Sequence, residues 1–256
     1  MTATRTDAAR TDYLLRFGDN ALILSQRLSE WCGKGPALEE DMALTNTALD
    51  LLGQARLWLS LAAEAIGDGA DEDTLAYLRD DRGFRNLLLV EQPNGAYADT
   101  LARQFLFDAW SSLALRRLLA SSDAAIAAIA EKAIKEASYH LRRSSDLVVR
   151  LGDGTERSHA LLQAAFERLW PYHHELFIGD AVDAEMTAAG IGFDPASLRD
   201  EWLAYVREVL AEATLRLPKD SGWTPKGGKQ GLHGEHLSRL LAEMQVLPRS
   251  HPGARW

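Results

Sequence analysis

Apolar residues in this chain return at steps of three and four, and its glycines and prolines fall mostly between the segments that carry the pattern. That arrangement allows long amphipathic helices and little else. A half-buried strand needs alternation at steps of two, and no such stretch long enough for a sheet occurs. Tyr13, Phe17, Ala21, Leu24, Leu28 and Trp31 predict a helix over 12–31, which Gly33-Lys34-Gly35-Pro36 ends. A second helix is expected over 38–66, opening with Glu39, Glu40 and Asp41 at its positive end. Between Ala43 and Ala63 its only charges are Asp50 and Arg56. The run is long enough for the roughly 20 residues of a membrane crossing. Asn46, Asp50, Gln54 and Arg56 in its middle favour a central helix of a water-soluble bundle instead.

The remaining segments follow the same punctuation. Helices are expected over 72–79, 97–120, 124–151, 155–177 with a kink at Pro171, 180–189, 195–215 and 233–246. In the 124–151 helix the inward stripe reads Ile126, Ala130, Ala133, Ala137, His140, Ser144, Leu147 and Leu151, and Asp123 offers an N-cap. The fold class is all-α. Two long hairpins, 12–66 and 97–151, joined by the connector 67–96, are the elements of a ferritin-like four-helix bundle. One domain over 1–256 is expected, with a core bundle over 12–151 and a C-terminal helical extension over 155–256.

Composition excludes several classes. The 256 residues carry 46% hydrophobic side chains and seven tryptophans, too apolar for a disordered chain. Cys32 has no partner, which removes a disulfide scaffold and a cysteine-built zinc site. The start MTATRTDAARTD lacks the apolar core of a secretory signal, so a cytoplasmic protein is expected. A net charge of −9 argues against binding nucleic acid or an anionic membrane.

A di-iron bundle of this kind needs a Glu from one helix of each pair and Glu-x-x-His from its partner. Hard carboxylates bridge the irons, and the spacing of three puts carboxylate and imidazole on one face. Counting outward from the second hairpin loop, near Ser122, sets Glu136 and Ala137 opposite Asp108, with His140 three residues beyond Ala137. Counting from the first loop, near Lys34, sets Asp50 opposite Asp19 and Asn20. Gly53 stands three residues beyond Asp50, and Gln54 follows. The motif is therefore present as positions and absent as chemistry, since alanine and glycine replace the glutamate and the histidine it requires. The expected structure is a hydrogen-bonded polar cluster in which each buried group is paired.

The segments YLLRFGDNALILSQRLSEWCGKGPALEEDMALTNTALDLLGQARLWL (13–59), FRNLLLVEQPNGAYADTLARQFLFDAW (84–110), KEASYHLRRSSDLVVRLGDGTERSH (135–159) and GLHGEHLSRLLAEMQVLPRSHPGARW (231–256) resemble the structural C subunits of bacterial phenylacetyl-CoA 1,2-epoxidases. The resemblance covers almost the whole chain. It implies a multicomponent monooxygenase that epoxidises the ring of phenylacetyl-CoA in aerobic phenylacetate catabolism. A homologous A subunit holds the di-iron site, the complex also has a smaller subunit, and a separate reductase supplies electrons from NADPH through flavin and an iron-sulfur cluster. The C subunit pairs with A and is non-catalytic, with no cofactor of its own. No catalytic residue is carried onto this chain. The rival reading is an autonomous di-iron oxidase or ferritin-like metal store using Asp50, Asp108, Glu136 and His140.

Other features have plainer readings. The tryptophans are expected in the core, with some facing a partner subunit. The 218–231 loop, with Trp223, Lys219, Lys226 and Lys229, reads as solvated or as a grip on a partner. His173 and His174 are expected to lie on a helix surface, pointing about 100° apart. His233 and His236, with Glu235, are expected to cap the last helix.

Overall fold

The computed structural model describes residues 5–254, and the element order among them is all helical. Ten α-helices are defined: α1 Arg5–Ser29, α2 Leu38–Ile66, α3 Glu72–Tyr77, α4 Tyr97–Leu118, α5 Ala124–Gly152, α6 Glu156–Leu169, α7 Ala181–Ala188, α8 Arg199–Glu212, α9 Glu235–Met244 and α10 Val246–Ser250. The chain is all-α and of the ferritin-like class, with two long hairpins, α1–α2 and α4–α5, plus C-terminal helices. No described helix is long and apolar enough to cross a membrane.

The residues divide into two compact units, one running to Pro93 and resuming at Gly227, the other Asn94–Lys226. In the first unit α2 begins and ends where the acidic first turn and Gly67 place it. Gly67 takes the left-handed conformation (φ 69°) and donates its N–H to the carbonyl of Ala63. Helix α1 starts earlier than expected, at Arg5, and Ala9 is already buried. It also stops short of Trp31, which is half-buried in the turn that follows.

The hairpin register differs from the loop count. Ser25 Oγ donates to the carbonyl of Ala48 (2.8 Å), and Gly18 lies against Leu59 and Trp58, where a Cβ would come within 2.7 Å of Leu59 Cδ2. Asp50 is therefore level with residues near Ile23, and Asp19 and Asn20 are level with the stretch following Gln54. The turn 30–34 and the extended residues before α2 carry the chain past the end of α1, so α2 starts beyond it. This leaves Leu38 (72% exposed) and Met42 without cover from α1.

The second unit shows the same displacement and its own capping. Asp123 caps α5, accepting from the N–H groups of Ala125 (3.0 Å) and Ile126 (3.3 Å). The buried stripe of α5 follows the expected residues from Ile126 to Ser144, then continues through Val148 and Gly152 in place of Leu147 and Leu151. Steps of four and three average 3.5 residues, short of the 3.6 of a straight helix, so the inward face drifts and the last turns need steps of four. Gly152 is required there, because a Cβ would lie 2.4 Å from the carbonyl oxygen of Ala213.

The expected 155–177 helix is two elements. Pro171 has no N–H and its ring obstructs the preceding turn, so α6 ends at Leu169 and Trp170–Phe177 forms a 3-10 helix with proline in its first turn. The 195–215 helix likewise divides into a 3-10 turn, Pro195–Leu198, and α8. The 218–231 loop is solvated only in its first part. Gly227, Gly228 and Lys229 are buried, and Gly228 packs so closely on the carbonyl of Asn86 that no side chain would fit.

Candidate functional site

The polar positions expected to form one cluster divide between the two units. Asn20, Asp50, Gly53 and Gln54 belong to the first; Asp108, Glu136, Ala137 and His140 belong to the second. In the second unit Asp108 is buried near the middle of α4, and both of its oxygens are occupied. Gln104 Nε2 donates to Oδ1 (2.7 Å) and Ser144 Oγ donates to Oδ2 (2.8 Å). Burial pushes its carboxyl up to about 6, against the pull of the His140 charge and these two donors. Asp108 thus faces Ser144, one turn beyond His140, in place of Glu136 and Ala137. The α4–α5 loop is not a tight reversal, since Ser121 and Ser122 are bonded to the carbonyls of Ile191 and Ala189, and α5 is offset along α4.

His140 and Ala137 are buried, and Glu136 is half-buried at the edge of the stripe. Asp108, Glu136 and His140 do not converge as a set of three metal donors with ligand atoms within 4.8 Å of one another. The residues here do not fit the Glu-x-x-His half of a di-iron centre. Ala137 fills the carboxylate place with a methyl group, and the oxygens of Asp108 are turned to an amide and a hydroxyl.

In the first unit the corresponding face is used to fasten a strap. Asp19, fully buried, accepts two bonds from the Arg79 guanidinium and one from the N–H of Arg85 (2.8 Å). Asn20 Oδ1 accepts from the N–H of Leu87 (2.8 Å). Asp50 is half-buried and Gln54 is buried. Gly53 is exposed, with no atom within 4 Å of where a Cβ would lie, so glycine there answers no steric demand.

Comparison with known proteins gives the chain's kinship. The family of phenylacetic acid catabolic proteins matches residues 1–256. The chain belongs to that family. It is also 54% identical over 246 residues to the C subunit of the 1,2-phenylacetyl-CoA epoxidase of Escherichia coli (strain K12), covering 96% of this chain and 98% of that protein.

Two features of this family member escape a linear reading. Glu91, next to the Pro93-Asn94-Gly95 turn, is fully buried. It accepts from Asn86 Nδ2 (3.1 Å) and the N–H of Gly234 (2.7 Å), and it faces His233 Nδ1 (2.8 Å). His233 therefore does not cap α9, whose N-cap is Gly234; it joins the C-terminal segment to the strap, with Nε2 against the carbonyl of Phe84 (3.1 Å). His236 contributes its carbonyl, which accepts from Arg27 (3.1 Å). Glu91 and His233 are too far apart in sequence for any local pattern to have paired them.

His173 and His174 are the second correction. They do not diverge on a helix surface. The 3-10 conformation after Pro171 turns His173 inward, where it stacks on Trp202 (ring centroids 5.3 Å apart, planes at 7°), with the His174 ring 4.0 Å away. Burial lowers the His173 pKa to about 4, so its ring is neutral near pH 7.

Proposed function

We propose that this chain serves as the non-catalytic C-type subunit of a multicomponent phenylacetyl-CoA epoxidase. It pairs with a di-iron A-type subunit and stabilises it, while a smaller subunit and a reductase drawing on NADPH complete the system. The observation that carries this reading is the 54% identity to the C subunit of an epoxidase over nearly the full length of both chains. The residues of each hairpin support it from below: Ala137 and Gly53 stand where the metal motif needs donors, and Asp108 has its oxygens engaged by Gln104 and Ser144.

The face of α2 supports the pairing. Leu38, Met42, Leu49 (60% exposed) and Leu52 lie within about 80° of one another at 100° per residue, an apolar stripe open to water. Stripes of this size are the usual mark of a surface that another protein covers. On this reading Leu49 and its neighbours bury against the A-type subunit, and the reaction's redox chemistry stays in that subunit.

Co-expression with an A-type subunit, followed by measurement of mass and iron, tests the proposal. A stable complex whose iron follows the A-type chain is expected, with Leu49→Asp weakening assembly while leaving this chain folded. Two tightly bound irons on the isolated chain, with oxygen consumption in the absence of a partner, would establish the autonomous oxidase instead.

A further inference from the structure

Among the described residues, one group of three His, Cys, Asp or Glu side chains brings its ligand atoms within 4.8 Å of one another: His173, His174 and Asp220. All three lie in the second unit, the histidines on the 3-10 helix after Pro171 and the aspartate on the loop after α8. Their surroundings resemble a prepared donor set. His173 Nδ1 faces the carbonyl of Trp170, which can only accept, so that nitrogen carries the proton and Nε2 keeps its lone pair. Trp202 fixes the plane of the same ring by stacking on it, and Trp202 is itself held by a bond from Nε1 to the carbonyl of Leu106 (3.1 Å). Asp220 Oδ1 accepts from Trp170 Nε1 (3.0 Å), an orienting bond of the sort that accompanies ligating carboxylates. His174 Nε2 lies 3.3 Å from Asp220 Oδ1. Metal bonds of about 2.0–2.1 Å in tetrahedral geometry separate neighbouring ligand atoms by about 3.3–3.4 Å.

We propose that His173, His174 and Asp220 bind a divalent transition cation of the zinc class, with a fourth coordination position open to water. Two imidazoles and one carboxylate suit zinc, nickel or copper better than the hard cations magnesium and calcium, which take oxygen ligands. Such an ion would tie the Trp170–Phe177 segment to the loop carrying Asp220 and Trp223, which also meets Tyr172 edge to face (ring centroids 5.5 Å apart). The site does not depend on the epoxidase reading, and its donors are distinct from Asp108, Glu136 and His140.

The test uses the untagged full-length chain, stripped with chelator and titrated with Zn²⁺ by calorimetry and with Co²⁺ by visible absorption. One equivalent of Zn²⁺ is expected, with the intense visible bands of low-coordinate Co²⁺ and a rise in melting temperature on Zn²⁺ addition. His174→Gln and Asp220→Asn should each weaken binding by at least about tenfold and remove the thermal shift. Both side chains are partly exposed, and Asp220→Asn keeps an oxygen for Trp170, so circular dichroism should be unchanged; if one variant unfolds, the other decides. His236→Gln should bind as the wild type does. No saturable binding by the wild-type chain, or equal binding by a folded His174→Gln or Asp220→Asn variant, would overturn the proposal. Iron analysis of the same variants separates metal held here from a di-iron centre, which they would leave intact.

Discussion

Each hairpin buries an aspartate in its first helix, and the two are held by opposite means. Asp19 in α1 meets a guanidinium and a backbone N–H from the strap at 79–85, so its charge is matched. Asp108 in α4 meets an amide and a hydroxyl, with His140 nearby, and its carboxyl is pushed up to about 6 by burial. A buried carboxylate can be paired or partly neutralised, and this chain does one in each unit. Asp19 has become a fastening point, whereas Asp108 remains a polar group between two long helices.

The contrast is tested most severely at Asp19. Asp19→Ala leaves the largely buried Arg79 and the N–H of Arg85 without that acceptor, and removing one partner of a buried pair costs about 3–5 kcal/mol. Urea unfolding should register that loss; a change below about 1 kcal/mol would mean that the strap is not held by this aspartate.

Asp108 should show itself through pH. Its folded pKa of about 6 lies above the ordinary carboxylate value of 3.8, so the folded chain keeps a proton that the unfolded chain releases within that window. The stability it contributes is fully present below about pH 4 and is lost as the pH rises through about 6. At about 1.4 kcal/mol per pK unit the swing is on the order of 3 kcal/mol. The stability of the wild-type chain relative to Asp108→Asn should decline by that amount across the window. A difference that stays flat with pH would show that burial does not raise the Asp108 carboxyl.

The smallest effect belongs to the two positions where the metal motif is interrupted. Gly53 sits in the interior of α2 facing open space, so Gly53→Ala should stabilise the chain by about 0.5–1 kcal/mol through helix propensity alone. Ala137 is packed within the buried stripe of α5, and Ala137→Gly should cost at least about 1 kcal/mol. Thermal unfolding of the two variants should therefore shift in opposite directions.

Much of the helical plan was legible because it is written locally. The acidic first turn opened α2, Asp123 announced α5, and the alanine stripe named its inward face as far as Ser144. The candidate cluster was legible only as residue types. Which residue faces Asp108 depends on how far α5 slides along α4, and counting from the loop missed Ser144 because it assumed a tight reversal. The ring pair His173 and His174 was misplaced for a similar reason: a 3-10 helix replaced the kinked α-helix on which their divergence had been reckoned.

The order of the amino acids is enough to specify the helices, the two-hairpin plan, the glycine and alanine at positions 53 and 137 of the hairpins, and the resemblance that the family comparison bears out. Those properties depend on neighbours within a few residues, or on the identity of a side chain, and both can be read along the chain. Folding in three dimensions is what brings Asp19 to Arg79, Glu91 to His233, and His173, His174 and Asp220 together. Those pairings join residues from separate segments, and their partners are set by helix offset, burial and packing, which no local pattern records.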